Sequence, residues 1–393
     1  MEHKYYIVKC YNNDYELNYK YLEKHLKKLN VIPDENAMDI IKILDLDEFK
    51  KKNKNIDTYC LYKNLISLPK FNKEILTADV FFLNINNNQV NKRFYDFPKY
   101  LVNIPNLSLV ERILNKSNII KEINKINPDI YKKYVPVNFN INEIDKYKFP
   151  KWYILRPIDS FAGADIKYIN NKKELDDAIE YYNKTRNYKN IIYRNDVLAS
   201  EYIDKPLLFR TKKFHLRLYY QISIINGIFN SFLWDTGKIV TAAEPFDMTK
   251  PFTKDKHDTH LKSTDDDYIF PTDFISKNLN KELDSKIHNQ LWNKIISIMK
   301  PISKILEKNK NNLLYSNEKN MYYIFGVDIM VRDNFDPVFI EVNIGPATGA
   351  IKTHFREILS EKLFDWLNDT VLEPLFRHND ALIARKHHTY IKI

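Results

Sequence analysis

The chain has 393 residues, of which 44% are hydrophobic, 14% aromatic and 28% charged; it can bury cores in two or three domains and is too apolar to be chiefly disordered. Its formal charge of +10 predicts attraction to nucleic acid, an anionic membrane or an acidic protein segment without choosing among them, and lysine runs such as 50–55 also follow from an AT-rich genome. Only six glycines occur, against roughly 27 at ordinary usage, and neither a G-x-G-x-x-G fingerprint nor a Walker A loop can be written from them.

Cys10 and Cys60 are too few for a disulfide framework or a zinc cluster, which fits a reducing compartment. The N-terminus has no signal-peptide h-region and no run of about 18 apolar residues occurs, so a cytoplasmic protein outside the bilayer is expected.

In chain order, residues 1 to about 105 read as a small α/β unit with a strand at 5–8 and an amphipathic stretch at 19–29. A helical pattern runs from Ser108 to Ile126, and Pro136 and Pro150 bracket a linker-like segment. A strand at 152–156, a polar loop, a helix at 173–182 and a strand at 197–203 make a compact middle unit. From His215 to Ile224 the apolar residues Leu216, Leu218, Tyr220, Ile222 and Ile224 alternate with His215, Arg217, Tyr219, Gln221 and Ser223, predicting one core face and one polar working face. Asn226-Gly227 predicts a hairpin, and Asp235-Thr236-Gly237 predicts a second reversal, giving an antiparallel meander. A long helix follows at 283–308 with Pro301 as a point of kinking, then a hairpin at 322–343 and a helix at 351–373.

The last hairpin carries the chemistry. A loop over residues 333–336 would pair position 328 with 341, setting Asp328 against Glu341. Opposed like charges about 4.5–5.5 Å apart destabilise a sheet, and a bound cation removes the conflict. Asn343 projects from the same face, completing an all-oxygen set suited to Mg²⁺. Other metal candidates are poorer: His257 with His260, and His387 with His388, lack a third ligand at sensible spacing and read as solvent-exposed.

Phe325-Gly326-Val327-Asp328-Ile329-Met330 followed by Phe339-Ile340-Glu341-Val342-Asn343-Ile344-Gly345-Pro346 resembles the paired "FGxDxM" and "EVNxxP" motifs of tubulin-tyrosine-ligase-like enzymes. The resemblance implies an α/β, α+β-type ATP-grasp fold in which two α/β subdomains clamp ATP: a central domain over 106–205 and a C-terminal domain with the metal site over 206–393, preceded by a small N-terminal α/β domain over 1–105. It implies that Asp328, Glu341 and Asn343 hold Mg²⁺ against the ATP phosphates. Residues 151–166 are similar to the family's "WIxKPxxSxxGxGI" phosphate loop, which brings Ser160 and Gly163 to the nucleotide. Arg156 stands in place of the usual lysine, and Asp165 replaces the second loop glycine, adding negative charge beside the expected triphosphate. Residues 201–208 resemble the hinge "xYIxxPLL", placing adenine near Glu201, Tyr202 and Ile203. Residues 212–217 resemble "RKFDIR", so Lys213 meets ATP phosphate, Arg217 meets the acyl-phosphate or substrate carboxylate, and His215 takes the place of an aspartate. Lys116 resembles the lysine that opens the middle domain; a solvated surface lysine is the other reading.

The resemblance thus implies a ligase that uses ATP and Mg²⁺ to join an amino-acid donor to an acidic protein or peptide acceptor, tubulin among them, with Arg156, Lys213 and Arg217 neutralising charge during phosphoryl transfer. The substrate motifs depart further: Asp235 and Val240 stand where the family commonly has arginine, and 260–264 only partly matches "HLTNx". Two other readings stay open, an ATP-binding scaffold without turnover and a basic nucleic-acid-binding protein; no recognisable RNA motif interleaves aromatic with basic residues.

Overall fold

A computed structural model describes residues 3–8, 31–33, 80–83, 107–158, 165–185, 196–249, 252–259, 268–270, 281–314, 320–344, 362, 365–366, 368–372, 374 and 390–393. The amphipathic stretch at 19–29, the phosphate-loop residues Ser160 and Gly163, the segment 260–264 and the pair His387 and His388 lie outside the described residues, as does most of the helix expected at 351–373. The N-terminal strands β1 (His3–Val8), β2 (Val31–Pro33) and β3 (Val80–Leu83) form a parallel sheet in the order β2-β1-β3.

The single helix predicted at 108–126 is two, α1 (Leu107–Leu114) and α2 (Lys116–Ile126). Asn115 divides them because its side chain accepts from the Ser117 N–H, satisfying a donor that a continuous helix would leave to the backbone. Asn127 caps α3 (Pro128–Tyr134) in the same way, and Pro128 fills a first-turn position where no N–H is needed.

The expected linker between Pro136 and Pro150 contains β4 (Asn138–Asn140), an edge strand of a small antiparallel sheet. The sheet continues through β5 (Tyr153–Pro157) and β6 (Lys167–Ile169), helix α4 (Lys172–Lys184), and β7 (Val197–Glu201), with strand order β4-β7-β5-β6. One face buries Phe139, Leu155, Val197 and Ala199 against Leu175, Ala178 and Tyr182 of α4. The opposite face carries Arg156, Leu198 and Ser200, because side chains alternate along each strand.

The large sheet is eight-stranded and is built on β9 (Lys212–Ile225), which follows β8 (Leu208–Phe209). Asn226 (φ 52) and Gly227 (φ 79) form the two-residue turn into β10 (Ile228–Trp234), since both positions need positive φ. The second predicted reversal does not occur. β11 (Gly237–Pro245) pairs with β9 at residues 214–217, next to the 220–225 stretch paired with β10, while a later strand occupies the other edge of β9. Asp235-Thr236 therefore carries the chain onward along β9 as an irregularity instead of turning it back, and the meander reading is corrected. Turn-forming residues serve bulges equally well.

Gly237 is required at this step. A Cβ there would lie 2.7 Å from the Arg217 carbonyl oxygen and 2.7 Å from Leu218 Cδ2. Gly237→Ala is expected to destabilise the protein by about 1–3 kcal/mol through overpacking, read as a lower urea midpoint with unchanged slope.

The chain continues through the short helix α5 (Lys254–His257), β12 (Tyr268–Phe270), α6 (Lys281–Lys308, with Pro301 inside it) and α7 (Lys310–Leu313). The hairpin β13 (Met321–Val331) and β14 (Pro337–Ile344) follows, and β15 (Tyr390–Lys392), absent from the sequence reading, pairs with β10. The principal core lies on one face of the large sheet. Leu291, Ile295, Ile298, Met299 and Ile302 recur at helical spacing on α6 and join Leu216, Leu218, Tyr220, Ile222, Ile224 and Val327.

The opposite face of β9 is polar as predicted, but it is not an open working surface along its length. Tyr219, Gln221 and Ser223 are buried; Gln221 donates to Thr370 Oγ1 at 3.0 Å, and Trp234 beside Tyr219 stacks on Trp366. The candidate working stretch of this face is therefore confined to Lys213, His215 and Arg217, at the end where Lys213 reaches Tyr202.

Candidate active site

Asp328 pairs with Glu341 across the hairpin. The register arises differently from the expected one. Val331 pairs with Pro337, which makes the connection one residue longer than 333–336, and Ile340 is then an extra residue between the Ile329–Phe339 and Asp328–Glu341 pairs. The bulge restores the pairing and sets Glu341 and Asn343 on the face of Asp328, while Phe339 and Val342 enter the principal core.

Two side-chain cations meet the paired carboxylates. Arg217, directly across from Asp328 on β9, grips it with two bonds, Nε to Oδ1 and Nη2 to Oδ2, the latter at 2.9 Å. Burial opposes the Arg217 charge, but Asp328 outweighs it and holds the guanidinium above its ordinary pKa. Lys116, the first residue of α2, places Nζ 3.0 Å from Glu341 Oε2. Burial alone would raise the Glu341 pKa; Lys116, Arg156 and a bond from Asn343 overcome it and hold the carboxyl well below the usual range. The conflict that implied a bound cation is thus relieved by the protein's own cations. Asn343 Nδ2 also donates to Asp328 Oδ2 at 3.0 Å, linking the three residues.

Two more cations face this group from either side. Arg156 on β5 donates through Nη2 to Ser200 Oγ at 2.9 Å, and Ser200 in turn donates to Asn138. Arg156 is 8% exposed, and its Nε has no hydrogen-bond partner among the described residues. Burial lowers its pKa against the pull of Glu341. Lys213 is also buried; its Nζ donates to Tyr202 Oη at 2.8 Å, and that hydroxyl lies within hydrogen-bond distance of His257 Nδ1, at 2.7 Å. Burial brings the Lys213 pKa down to about 7, with Asp258 opposing the shift and Arg156 adding to it. His257 is driven down to about 4, chiefly by burial, which keeps its imidazole neutral near pH 7. His215 Nδ1 lies 2.6 Å from Thr259 Oγ1, and its Nε2 lies 3.7 Å from Asp328 Oδ1.

Beyond the hairpin's polar end, Ile203 packs with Met330, Val338 and Ile340, an apolar wall where the small sheet meets the large one. Phe252 and His257 stack at 4.0 Å between centroids and, with Trp152, Tyr168 and Tyr202, close the neighbouring side. The arrangement suits a ligand with an anionic end and a flat apolar end. Cations converge on one side, and the unpartnered Arg156 Nε offers a further donor. Asp328, Glu341 and Asn343 supply the hard oxygen donors Mg²⁺ prefers. Among the described residues no cluster of three His, Cys, Asp or Glu side chains is arranged to hold a metal, so a cation held by this set would leave coordination positions for phosphate or water.

Of the residues expected from sequence, Lys116, Arg156, Lys213, His215, Arg217, Asp328, Glu341 and Asn343 converge, with Tyr202 and Ile203 at the rim. Glu201 does not join them: it ends β7 on the α4 side and pairs with Lys151 at 2.5 Å near the surface. The Tyr202 N–H is already donated to the Trp152 carbonyl. His257, expected at the surface, is 3% exposed and part of the cluster. Ser200, Asn138 and Thr259 are polar residues that the sequence reading passed over; the alternation Leu198, Ser200, Tyr202 marks Ser200 as facing Arg156. Replacing Lys116 by Met would leave Glu341 short of its closest cation, at an expected cost of about 1–2 kcal/mol, measured by urea unfolding at pH 7. Because the Glu341 pKa is depressed, that contribution is present above its unfolded value of 4.5 and lost as pH falls below it.

Antiparallel sheets meeting at a buried cluster of paired carboxylates and converging cations define a mixed α/β protein. Residues 69–379 match the Tubulin-tyrosine ligase family, and the chain belongs to it. It is similar to the probable tubulin–tyrosine ligase PBY1 of Saccharomyces cerevisiae, at 22% identity over 275 residues, 60% of this chain and 35% of that protein. It is also similar to the tubulin polyglutamylase ttll-11 of Caenorhabditis elegans, at 22% over 337 residues, 76% of this chain and 45% of that protein. A third relative is the tubulin polyglutamylase ttll-4 of Caenorhabditis briggsae, at 24% over 185 residues, 42% and 29% of the two chains. The chain spans less than half the length of these curated relatives. None of the described helices is long and apolar enough to cross a membrane.

Proposed function

We propose that the protein is an ATP-grasp carboxylate–amine ligase of the tubulin-tyrosine-ligase type. A central unit over 106–205 and a C-terminal unit over 206–393 would hold ATP between them, behind an N-terminal unit over 1–105. The observation that carries the reading is the convergence of Lys116, Arg156, Lys213 and Arg217 on Asp328, Glu341 and Asn343. A carboxylate oxygen of one substrate attacks the γ-phosphorus of ATP, the bond to the β-phosphate oxygen breaks, and ADP leaves. An amine nitrogen then attacks the acyl carbon, phosphate departs with the acyl oxygen, and the amine loses a proton. The attacking carboxylate is already ionised near neutral pH, so the side chains chiefly bind and stabilise charge.

In this reading Lys213 and Arg156 hold phosphate oxygens, Arg217 steadies Asp328 and faces the transferred group, and the wall of Ile203, Met330, Val338 and Ile340 receives adenine. Asp328, Glu341 and Asn343 would hold Mg²⁺, which shields phosphate charge when bound. The basic charge of the chain and the tubulin-modifying names of its relatives favour an acidic protein tail as acceptor, tubulin included, with a free amino acid as donor. Incubation with Mg-ATP, labelled amino acids and tubulin or an acidic-tail peptide tests this: ADP release and label in the acceptor are expected, both lost in Glu341→Gln. Mg-ATP binding without ADP or label across a panel of all amino acids and acidic acceptors would replace the ligase with a nucleotide-binding scaffold.

A further inference from the structure

Asp165 adopts left-handed backbone (φ 58) two residues before β6 begins, a conformation free of cost for glycine and tolerated by aspartate better than by most residues. Lys167, two residues on, pairs with Leu155, the neighbour of Arg156 on β5, so Asp165 lies at the end of the small sheet that carries Arg156. Two hydroxyls from α4 hold it. Tyr181 Oη donates to Asp165 Oδ1 at 2.7 Å, and Tyr182 Oη donates to the Asp165 carbonyl at 2.6 Å. Tyr182 is 1% exposed in the core between α4 and the small sheet, and Lys167 Nζ lies 3.9 Å over the Tyr181 ring. Helix α4 covers the sheet face opposite to Arg156. The hydrogen bond to Asp165 also keeps the Tyr181 phenol above its ordinary pKa, so it remains a donor.

We propose that Tyr181 and Tyr182 are positioning residues that hold Asp165 on the α4 side of the small sheet, keeping its negative charge out of the Arg156–Lys213 cleft. The proposal rests on the nucleotide-binding reading of that cleft. The geometry accounts for an acidic residue at a turn where glycine would serve: the carboxylate supplies the anchor, and the tyrosines direct it away from the phosphates. Released from Tyr181, the carboxylate is free to approach the bound anion, and a single like charge about 12 Å away weakens binding about tenfold at an effective dielectric of about 20.

The test is a double-mutant cycle on Mg-ATP affinity with Tyr181→Phe, Asp165→Gly and the two combined, thermal melting of each variant verifying that it folds. Tyr181→Phe is expected to weaken binding about tenfold, Asp165→Gly to bind at least as tightly as the wild type, and Tyr181→Phe to have no effect once Asp165 is glycine. An equal loss from Tyr181→Phe in both backgrounds would assign the tyrosine a merely structural role and overturn the proposal, as would unchanged affinity in Tyr181→Phe. Failure of the wild-type protein to bind Mg-ATP would overturn the nucleotide reading and this inference together, whereas wild-type binding without coupling overturns only the inference.

Discussion

Arg217→Ala is expected to destabilise the protein by about 3 kcal/mol, because it strips a buried carboxylate of both its guanidinium bonds. Asp328 is 2% exposed and lies directly across from Arg217. Asn343 remains as one neutral donor, and His215 Nε2, at 3.7 Å, is too far for a good bond. The penalty is that of an uncompensated charge, which gives the prediction a second arm. Asp328→Asn in the Arg217→Ala background removes the charge and should recover about half the loss. Arg217→Lys should fall between, since an ammonium cannot reproduce the two-bond fork. Urea unfolding of the variants measures all three; additive losses in the double mutant would show that the pair is not coupled.

Lys213 carries the second large effect. With its pKa held near 7 by burial, the free protein has largely lost this proton at pH 8, whereas a bound phosphate favours the ammonium. Binding of Mg-ATP is therefore expected to take up a proton, and the affinity to fall by up to about tenfold per unit as pH rises above 7. The facing groups do not supply this slope: His257 is neutral above about 4, burial raises the Tyr202 pKa far above this range, and Arg156 stays charged. Lys213→Arg should flatten the profile, and Lys213→Met should weaken binding on the order of 100-fold. The same depressed pKa costs stability below about pH 7, and that cost is relieved as pH climbs from about 7 toward 10.5, because the unfolded lysine retains its proton throughout that window while the folded one has lost it. Calorimetry in buffers of different ionisation enthalpy reads the proton uptake directly; an affinity independent of pH between 7 and 9 would contradict the assignment.

The elements that were legible in the sequence are those set by local pattern. The alternation from His215 to Ile224 gave both faces of β9, and Asn226-Gly227 gave its turn. Asp328 was matched to Glu341 by counting residues, yet the real hairpin reaches that pair through a longer connection and a bulge at Ile340, two deviations that offset each other. What the sequence could not convey was tertiary cover. Nothing local in Gln221 announces that Thr370, 149 residues later, will bond it. His257 reads as exposed because a lone histidine in a lysine-rich stretch carries no periodicity, and only the fold sets it against Tyr202. Asp235-Thr236-Gly237 has the composition of a turn, and the close approach of Gly237 to Arg217 is a fact of packing between strands. In the sequence Asp165 reads as an added charge beside the nucleotide; the hydroxyls that hold it come from residues 16 and 17 positions later in the chain.

Titration of Mg-ATP into the wild-type protein and into Glu341→Gln tests the central claim most directly. Saturable Mg²⁺-dependent binding to the wild type and its loss or steep weakening in the variant are expected, with both proteins folded by circular dichroism. Equal binding to the two would contradict the assignment of the Asp328, Glu341 and Asn343 cluster as the metal-nucleotide site.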